Sequence, residues 1–193
     1  MRRVTLAAAA LGGVLLTGCA AGVPSQPPAA TPPPVAAADL LARNGLQGLS
    51  AEQVVDRLDA SEEDRTAGPV GSVRATELVL TDGQGQARLP LPADRFYLSI
   101  APYLTTTHDC FDHNLASCKG ELAGRTFHVT VRDAAGATLV DRDATAYGNG
   151  FAGLWLPRGI TGTLTVTYEG KSATAAIATG AGDPTCLTTL KLT

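Results

Sequence analysis

The chain has 193 residues, 45% hydrophobic but only 5% aromatic, with 15 basic and 18 acidic side chains and a formal net charge of −3. That length suits one ordinary domain, or a domain with a small companion, and shows no solenoid-like period. No basic run and no basic stripe interleaved with aromatics appears, so there is nothing from which to build a phosphate-tracking surface, and no nucleic-acid partner is expected.

In chain order, the first feature is "MRRVTLAAAALGGVLLTGC", in which Arg2 and Arg3 precede an apolar run from Val4 to Leu16 and then Leu16-Thr17-Gly18-Cys19. A run of roughly 13 residues falls short of the about 20 needed to cross a bilayer and reads as a signal-peptide core, residues 1–18. Leu-x-Gly-Cys at this place resembles the lipobox of bacterial lipoproteins. Cys19 would then be acylated and become the first mature residue, anchoring the protein to the membrane in the cell envelope, on the outer side of the cytoplasmic membrane or in the periplasm. The plainer alternative leaves Cys19 an ordinary cysteine after secretion cleavage. Loss of residues 1–18 removes two arginines and no acids, leaving 13 basic against 18 acidic residues and a formal charge of −5.

Residues 19–38 are rich in Pro and Ala and uncharged, as expected of an extended, semi-rigid tether. A small α/β region is expected over 39–94. In it Ser50 stands three residues before Gln53, the spacing of a capping box, and Val54, Val55 and Leu58 share one face, which predicts a single short helix over Ser50 to Asp59.

From Val73 the period changes to two. Strands are predicted at 75–80, 86–91, 95–101, 127–132, 153–157, 162–169, 172–179 and 186–192, between turn signals such as Asp82-Gly83 and Ala134-Ala135-Gly136. The expected fold is mainly β with a small α-containing N-terminal part (α+β), and a C-terminal antiparallel β-sandwich-like domain over 95–193. Phe127, Val129 and Val131 alternate with His128, Thr130 and Arg132, placing His128 on a solvent face. Trp155 and Leu156 read as core and edge residues of a strand. "GQGQAR" over 83–88 has Arg88 where a dinucleotide loop needs its third glycine and opens no helix, so it reads as a hairpin turn. Neither Gly-x-Ser-x-Gly nor His-Glu-x-x-His occurs, and no catalytic residues are assigned.

Sulfur and imidazole concentrate in "HDCFDHNLASC", residues 108–118, which holds two of the three histidines and two of the four cysteines. With Cys19 lipidated, Cys110, Cys118 and Cys186 remain, an odd number in an oxidising compartment. One reading is a disulfide-stapled structural or interaction sandwich without metal, with a Cys110–Cys118 bridge and one inert thiol. The other is a metal site. Eight residues of continuous helix would separate Cys110 from Cys118 by about 12 Å, so one ion can touch both only if the loop turns back on itself. Cys186, at the start of the last predicted strand, could then complete a three-sulfur cluster. Thiolates select Cu(I), zinc or iron–sulfur clusters, and a cluster usually asks for four cysteines. Zinc would recruit His108 or His113 as fourth ligand, whereas Cu(I) is content with three thiolates. The histidines otherwise read as solvated loop residues or donors to the thiolates. The lone methionine, Met1, leaves with the signal, so thioether ligation is not available.

The blocks "FYLSIAPYLTTTHDCFDHNLASCKGEL", "NGFAGLWLPRG" and "PTCLTTLKL", in this order, resemble the CueP family of periplasmic copper-binding proteins, a likeness running from about Leu40 to Thr193. The resemblance implies that Cys110, Cys118 and Cys186 correspond to the family's copper-ligating cysteines. It further implies Cu(I) sequestration in the envelope that contributes to copper tolerance, and delivery to an exported cuproenzyme such as a superoxide dismutase. Thiol-dependent reduction of Cu(II) would make the protein a reductant as well as a binder, and a homodimer is also in view. The lipobox and long tether depart from a freely diffusing periplasmic form.

Overall fold

The structure, a computed structural model, describes residues 32–61 and 68–193. The signal-like segment, Cys19 and the tether up to residue 31 lie outside the described residues. No helix among those described is long and apolar enough to cross a membrane.

Two short helices open the fold. Helix α1, Ala37–Arg43, places Asp39 in its first turn and Arg43 in its last, each favoured by the helix dipole, and buries Leu40 and Leu41. The Pro/Ala-rich segment meets the fold just before it: Gln86 N–H donates to Pro33 O at 2.8 Å and Val35 N–H to Gln86 O at 2.9 Å. Helix α2, Ala51–Asp59, starts at the expected capping box. Gln53 N–H donates to Ser50 Oγ at 3.2 Å while Ser50 N–H donates to Gln53 Oε1 at 2.9 Å. Its buried stripe is Val54, Val55 and, at its last residue, Asp59.

The strands are β1 Val70–Val73, β2 Glu77–Thr81, β3 Gln86–Pro90, β4 Arg95–Ile100, β5 His113–Asn114, β6 Thr126–Asp133, β7 Thr138–Thr145, β8 Ala152–Pro157, β9 Thr161–Tyr168, β10 Lys171–Ala178 and β11 Cys186–Leu187. They form three sheets among the described residues, ordered β3-β2-β1-β5, β10-β9-β6-β7 and β11-β4-β8. Every pairing between two of these strands is antiparallel except β11 on β4, which is parallel with Cys186 opposite Ser99. The structure is thus mainly β with a small helical N-terminal part, as the alternation predicts. The last predicted strand is shorter than expected, ending at Leu187, with a single further bridge between Tyr103 and Lys191.

Strand β4 divides the interior in two. Because successive side chains of a strand face opposite ways, Phe96, Leu98 and Ile100 point into a sandwich core with Phe127, Val129, Val131, Leu154, Leu164 and Val166. Tyr97, on the other face, joins a second core with Val54, Val55, Leu78, Leu80 and Leu115. Full burial of each such aliphatic or aromatic side chain contributes about 1.5–3 kcal/mol. Opposite β4, Gly153 leaves space that a side chain would take, for a Cβ there would meet Tyr97 Oη at 2.0 Å. Gly150, at φ 84°, lets its backbone cross that of Gly120, whose carbonyl oxygen a Cβ would meet at 2.2 Å. Both glycines flank residues of the site.

Candidate metal centre

The loop from 101 to 125 is folded by its own polar groups. Glu121 accepts N–H bonds from Leu104 at 2.7 Å and Thr105 at 2.9 Å, and the Thr105 hydroxyl at 2.6 Å. The Thr105 side-chain and backbone bonds hold its carboxyl down, to about 2. Farther on, Asn114 Oδ1 accepts from Ala116 and Ser117 N–H, both at 2.9 Å, and Cys118 N–H returns to Asn114 O at 3.2 Å. These bonds turn "CFDHNLASC" back on itself, the condition under which Cys110 and Cys118 can meet.

Two anchors place that turn against the sheets. Through β5, His113 pairs with Val73 of β1. On the other side Thr185 and Cys186 N–H both donate to Phe111 O, at 2.9 and 3.1 Å, so β11 lies against the loop. The Thr185 hydroxyl ties the two anchors together, accepting from His113 N–H at 2.9 Å and donating to Val73 O at 2.6 Å.

The result is a cluster of Cys110, His113, Cys118 and Cys186 whose ligand atoms all lie within 4.8 Å of one another. Cys118, Cys186 and His113 are buried and Cys110 half-buried. Cys110 and Cys186 are joined as a disulfide, and Cys118 is a free thiol with its Sγ 3.6 Å from that of Cys110. The bridge expected for a stapled scaffold, Cys110 to Cys118, is therefore replaced by Cys110 to Cys186, because β11 runs alongside the loop at residue 111. Of the two loop histidines, His113 is in the cluster and His108 is exposed, its ring 6.1 Å from that of Phe151. His128 lies on the polar face of β6 between Asp141 and Asp143, at 2.8 and 2.9 Å, apart from the cluster. Trp155 is half-buried at the edge of the second core, its Nε1–H donating to Asp56 at 2.8 Å.

Behind His113 stands a carboxylate that the sequence pattern does not single out. Asp59, fully buried at the end of α2, lies 2.9 Å through Oδ1 from His113 Nε2. It also accepts from Asn149 Nδ2 at 2.7 Å and from Tyr97 Oη at 2.5 Å, with Ser99 Oγ at 3.4 Å. A legible signal exists: Asp59 follows Val55 by four residues on the apolar stripe of α2, where an acid needs a buried partner.

The electrostatics follow from that pairing. Burial, the largest influence on His113, pushes its imidazole down, but the hydrogen bond to Asp59 and the interaction with Cys118 outweigh it and raise it to about 9. Burial likewise pushes Asp59 up, and the bonds from His113, Tyr97 and Asn149 bring it below the usual carboxylate range. Cys118 is pushed up by burial, yet His113 and the Asn114 N–H, 3.4 Å from its sulfur, hold it below the ordinary thiol value. His113 Nδ1 is buried without a hydrogen-bond partner. An imidazole whose one nitrogen is fixed on a carboxylate presents the other as a ligand, the usual arrangement around a bound metal.

A β-rich fold that gathers three sulfurs and one imidazole, two of the sulfurs joined as a disulfide, has the donor set of a soft-metal site. Comparison with known proteins agrees: the family model described as "Periplasmic copper-binding protein CueP" matches residues 53–191. The crystal structure described as that of S.CueP superposes with a TM-score of 0.78 at 46% sequence identity, over 81% of this chain and 96% of that one. No curated protein matches. The chain belongs to the CueP family.

Proposed function

We propose that the reduced protein binds one Cu(I) through Cys110, Cys118 and Cys186 as thiolates, with His113 Nδ1 as a further donor, and so sequesters copper in the cell envelope. The observation that carries this reading is the convergence of the four ligand atoms within 4.8 Å. Three soft sulfurs favour Cu(I) over harder ions, and ligation exchanges thiol protons for one polarisable cation. Membership of a family described as copper-binding, and the likeness to S.CueP, support copper as the cargo. Zinc is the second reading, favoured by one feature: three thiolates and one imidazole also make a closed tetrahedral zinc site.

The disulfide between Cys110 and Cys186 supports a redox role. Two thiolates that pass to a disulfide give up two electrons, which reduce two Cu(II) to two Cu(I); two external thiols, or one dithiol, must then be oxidised to a disulfide to restore the pair. Copper handed on to an exported cuproenzyme such as a superoxide dismutase, and anchorage through a lipid on Cys19, complete the reading as a contributor to copper tolerance.

Anaerobic Cu(I) titration of the reduced protein against a competing chelator tests it. One Cu(I) per chain is expected, with each of Cys110→Ser, Cys118→Ser and Cys186→Ser weakening binding at least tenfold. X-ray absorption should show mainly sulfur neighbours. Unchanged affinity in the Cys186→Ser protein, or a shell dominated by oxygen, overturns the assignment. Zinc that Cu(I) fails to displace favours the second reading. For the anchor, Cys19→Ser should release the protein from membranes without altering Cu(I) affinity.

A further inference from the structure

We propose that Cys118 and the Cys110–Cys186 disulfide exchange with each other, so that the oxidised site interconverts between a Cys110–Cys186 and a Cys110–Cys118 bridge with no outside reductant. The inference rests on the reading of this cluster as a thiolate site that passes through a disulfide. Cys118 Sγ lies 3.6 Å from Cys110 Sγ, against about 2.05 Å for a formed S–S bond, so an approach of roughly 1.5 Å closes the new bond. The backbone is already folded for it: Cys118 N–H bonds Asn114 O, and Asn114 Oδ1 holds two of the three intervening N–H groups, those of Ala116 and Ser117.

The exchange is neutral in electrons. The Cys118 thiolate attacks Cys110 Sγ, the Cys110–Cys118 bond forms as the Cys110–Cys186 bond breaks, and the negative charge leaves on Cys186 Sγ, the ordinary course of thiol–disulfide exchange. Cys110 belongs to both bridges, and it is the half-buried sulfur while Cys118 and Cys186 are buried. An outside thiol therefore meets the same sulfur in either isomer. What changes is the tie: one bridge spans 76 residues and pins the loop to β11, the other closes only the loop and returns Cys186 as a free donor.

Peptide mapping tests this on the metal-free full chain carrying Cys19→Ser, so that three thiols are counted. The protein is oxidised to one free thiol, held anaerobically at neutral pH, quenched in acid, alkylated and digested with trypsin. Cys110 and Cys118 share the peptide 96–119, whereas Cys186 lies in 172–191, so the first isomer joins two peptides and the second is a loop within one. Both isomers are expected, with the alkyl label divided between Cys118 and Cys186 and at least a tenth of it at Cys186. The Cys186→Ser protein should likewise close a Cys110–Cys118 bridge under mild oxidant. Label confined to Cys118 at all times, or a Cys186→Ser protein that keeps two free thiols, overturns the proposal. Because no copper is present, either failure leaves Cu(I) binding untouched, and a reduced chain that binds no Cu(I) overturns the earlier reading whatever its bridges do.

Discussion

Asp59→Asn is the perturbation that most directly probes how the site is held. The amide keeps an oxygen for one side of the cluster but loses the charge, and it turns an N–H group toward either His113 and Asn149 or Tyr97, all of which donate to the native carboxylate. The ring of His113 rises from 6.5 to about 9. At about 1.4 kcal/mol per pH unit, that rise corresponds to stability on the order of 3 kcal/mol. A raised histidine stabilises the fold fully below 6.5 and loses that contribution as pH climbs through about 9. Asp59, held low, contributes above its ordinary value of 3.8 and loses stability only as pH falls below it, outside this window. Cys118, also held low, contributes with the opposite sign to His113 as pH rises toward its ordinary value of 9.0, so the comparison belongs in a Cys118→Ser background.

In that background Asp59 alone raises the ring, so urea unfolding measured at half-unit intervals from pH 6 upward should show the Asp59 protein losing stability over a window that opens at 6.5 and closes below about 9. With Asn at 59, the buried ring has no counter-charge, its burial dominates, and the decline should vanish. Below pH 6.5 the substituted protein should be less stable by about 3–5 kcal/mol, the cost of breaking a buried ion pair. Parallel curves for the two proteins through this window would refute the argument that Asp59 sets the charge of His113.

The other expectations are simpler. Gly153→Ala should destabilise by about 1–3 kcal/mol and displace the Tyr97 hydroxyl from Asp59, since its Cβ meets Tyr97 Oη at 2.0 Å; thermal melts and the tyrosine spectrum report both. Leu164→Ala, in the sandwich core and away from the sulfurs, should cost about 2–5 kcal/mol in urea unfolding while leaving Cu(I) affinity of the folded protein unchanged. His113→Gln should weaken Cu(I) binding in the chelator assay by roughly 10–100-fold, the scale seen when the groups around a metal are disturbed, with three sulfur neighbours retained in X-ray absorption.

Local chemistry is legible where pattern and place coincide. The capping box at Ser50 and Gln53 forms as the spacing predicts. The alternation of Phe127, Val129 and Val131 marks β6 because one face of that strand is buried and the other is not. Strand β7 escapes the pattern for the same physical reason in reverse: Leu139 to Asp143 is half-buried or exposed at the edge of its sheet, so no two-residue period marks it. Helix α1 merges into the Pro/Ala-rich segment, whose composition hides that Leu40 and Leu41 have a core to enter. At the site, three cysteines can be named because their chemistry is rare. Tyr97 and Asn149 cannot, and Asp59 only as an acid on an apolar stripe, since their meeting depends on α2, β4 and the loop before β8 arriving at one point from across 90 residues of chain.

The geometry also sets how redox state and metal capacity are linked. In the Cys110–Cys186 form the cluster offers only Cys118 and His113, one sulfur and one nitrogen; reduction adds two sulfurs in the same 4.8 Å space. On the proposed reading, full Cu(I) affinity would require reduction, and Cu(II) that oxidised the pair would remove two of the thiolates needed to hold the Cu(I) it yields. Capture and release of copper would then be opposite ends of a single sulfur reaction. His113 suits both ends. Paired with Asp59, it holds the Cys118 thiol below its ordinary value, and a metal that took that sulfur would let it give up its Nδ1 proton and offer the lone pair instead. A lysine in its place would balance charge without that second capacity, and a glutamine would offer a ligand without the charge.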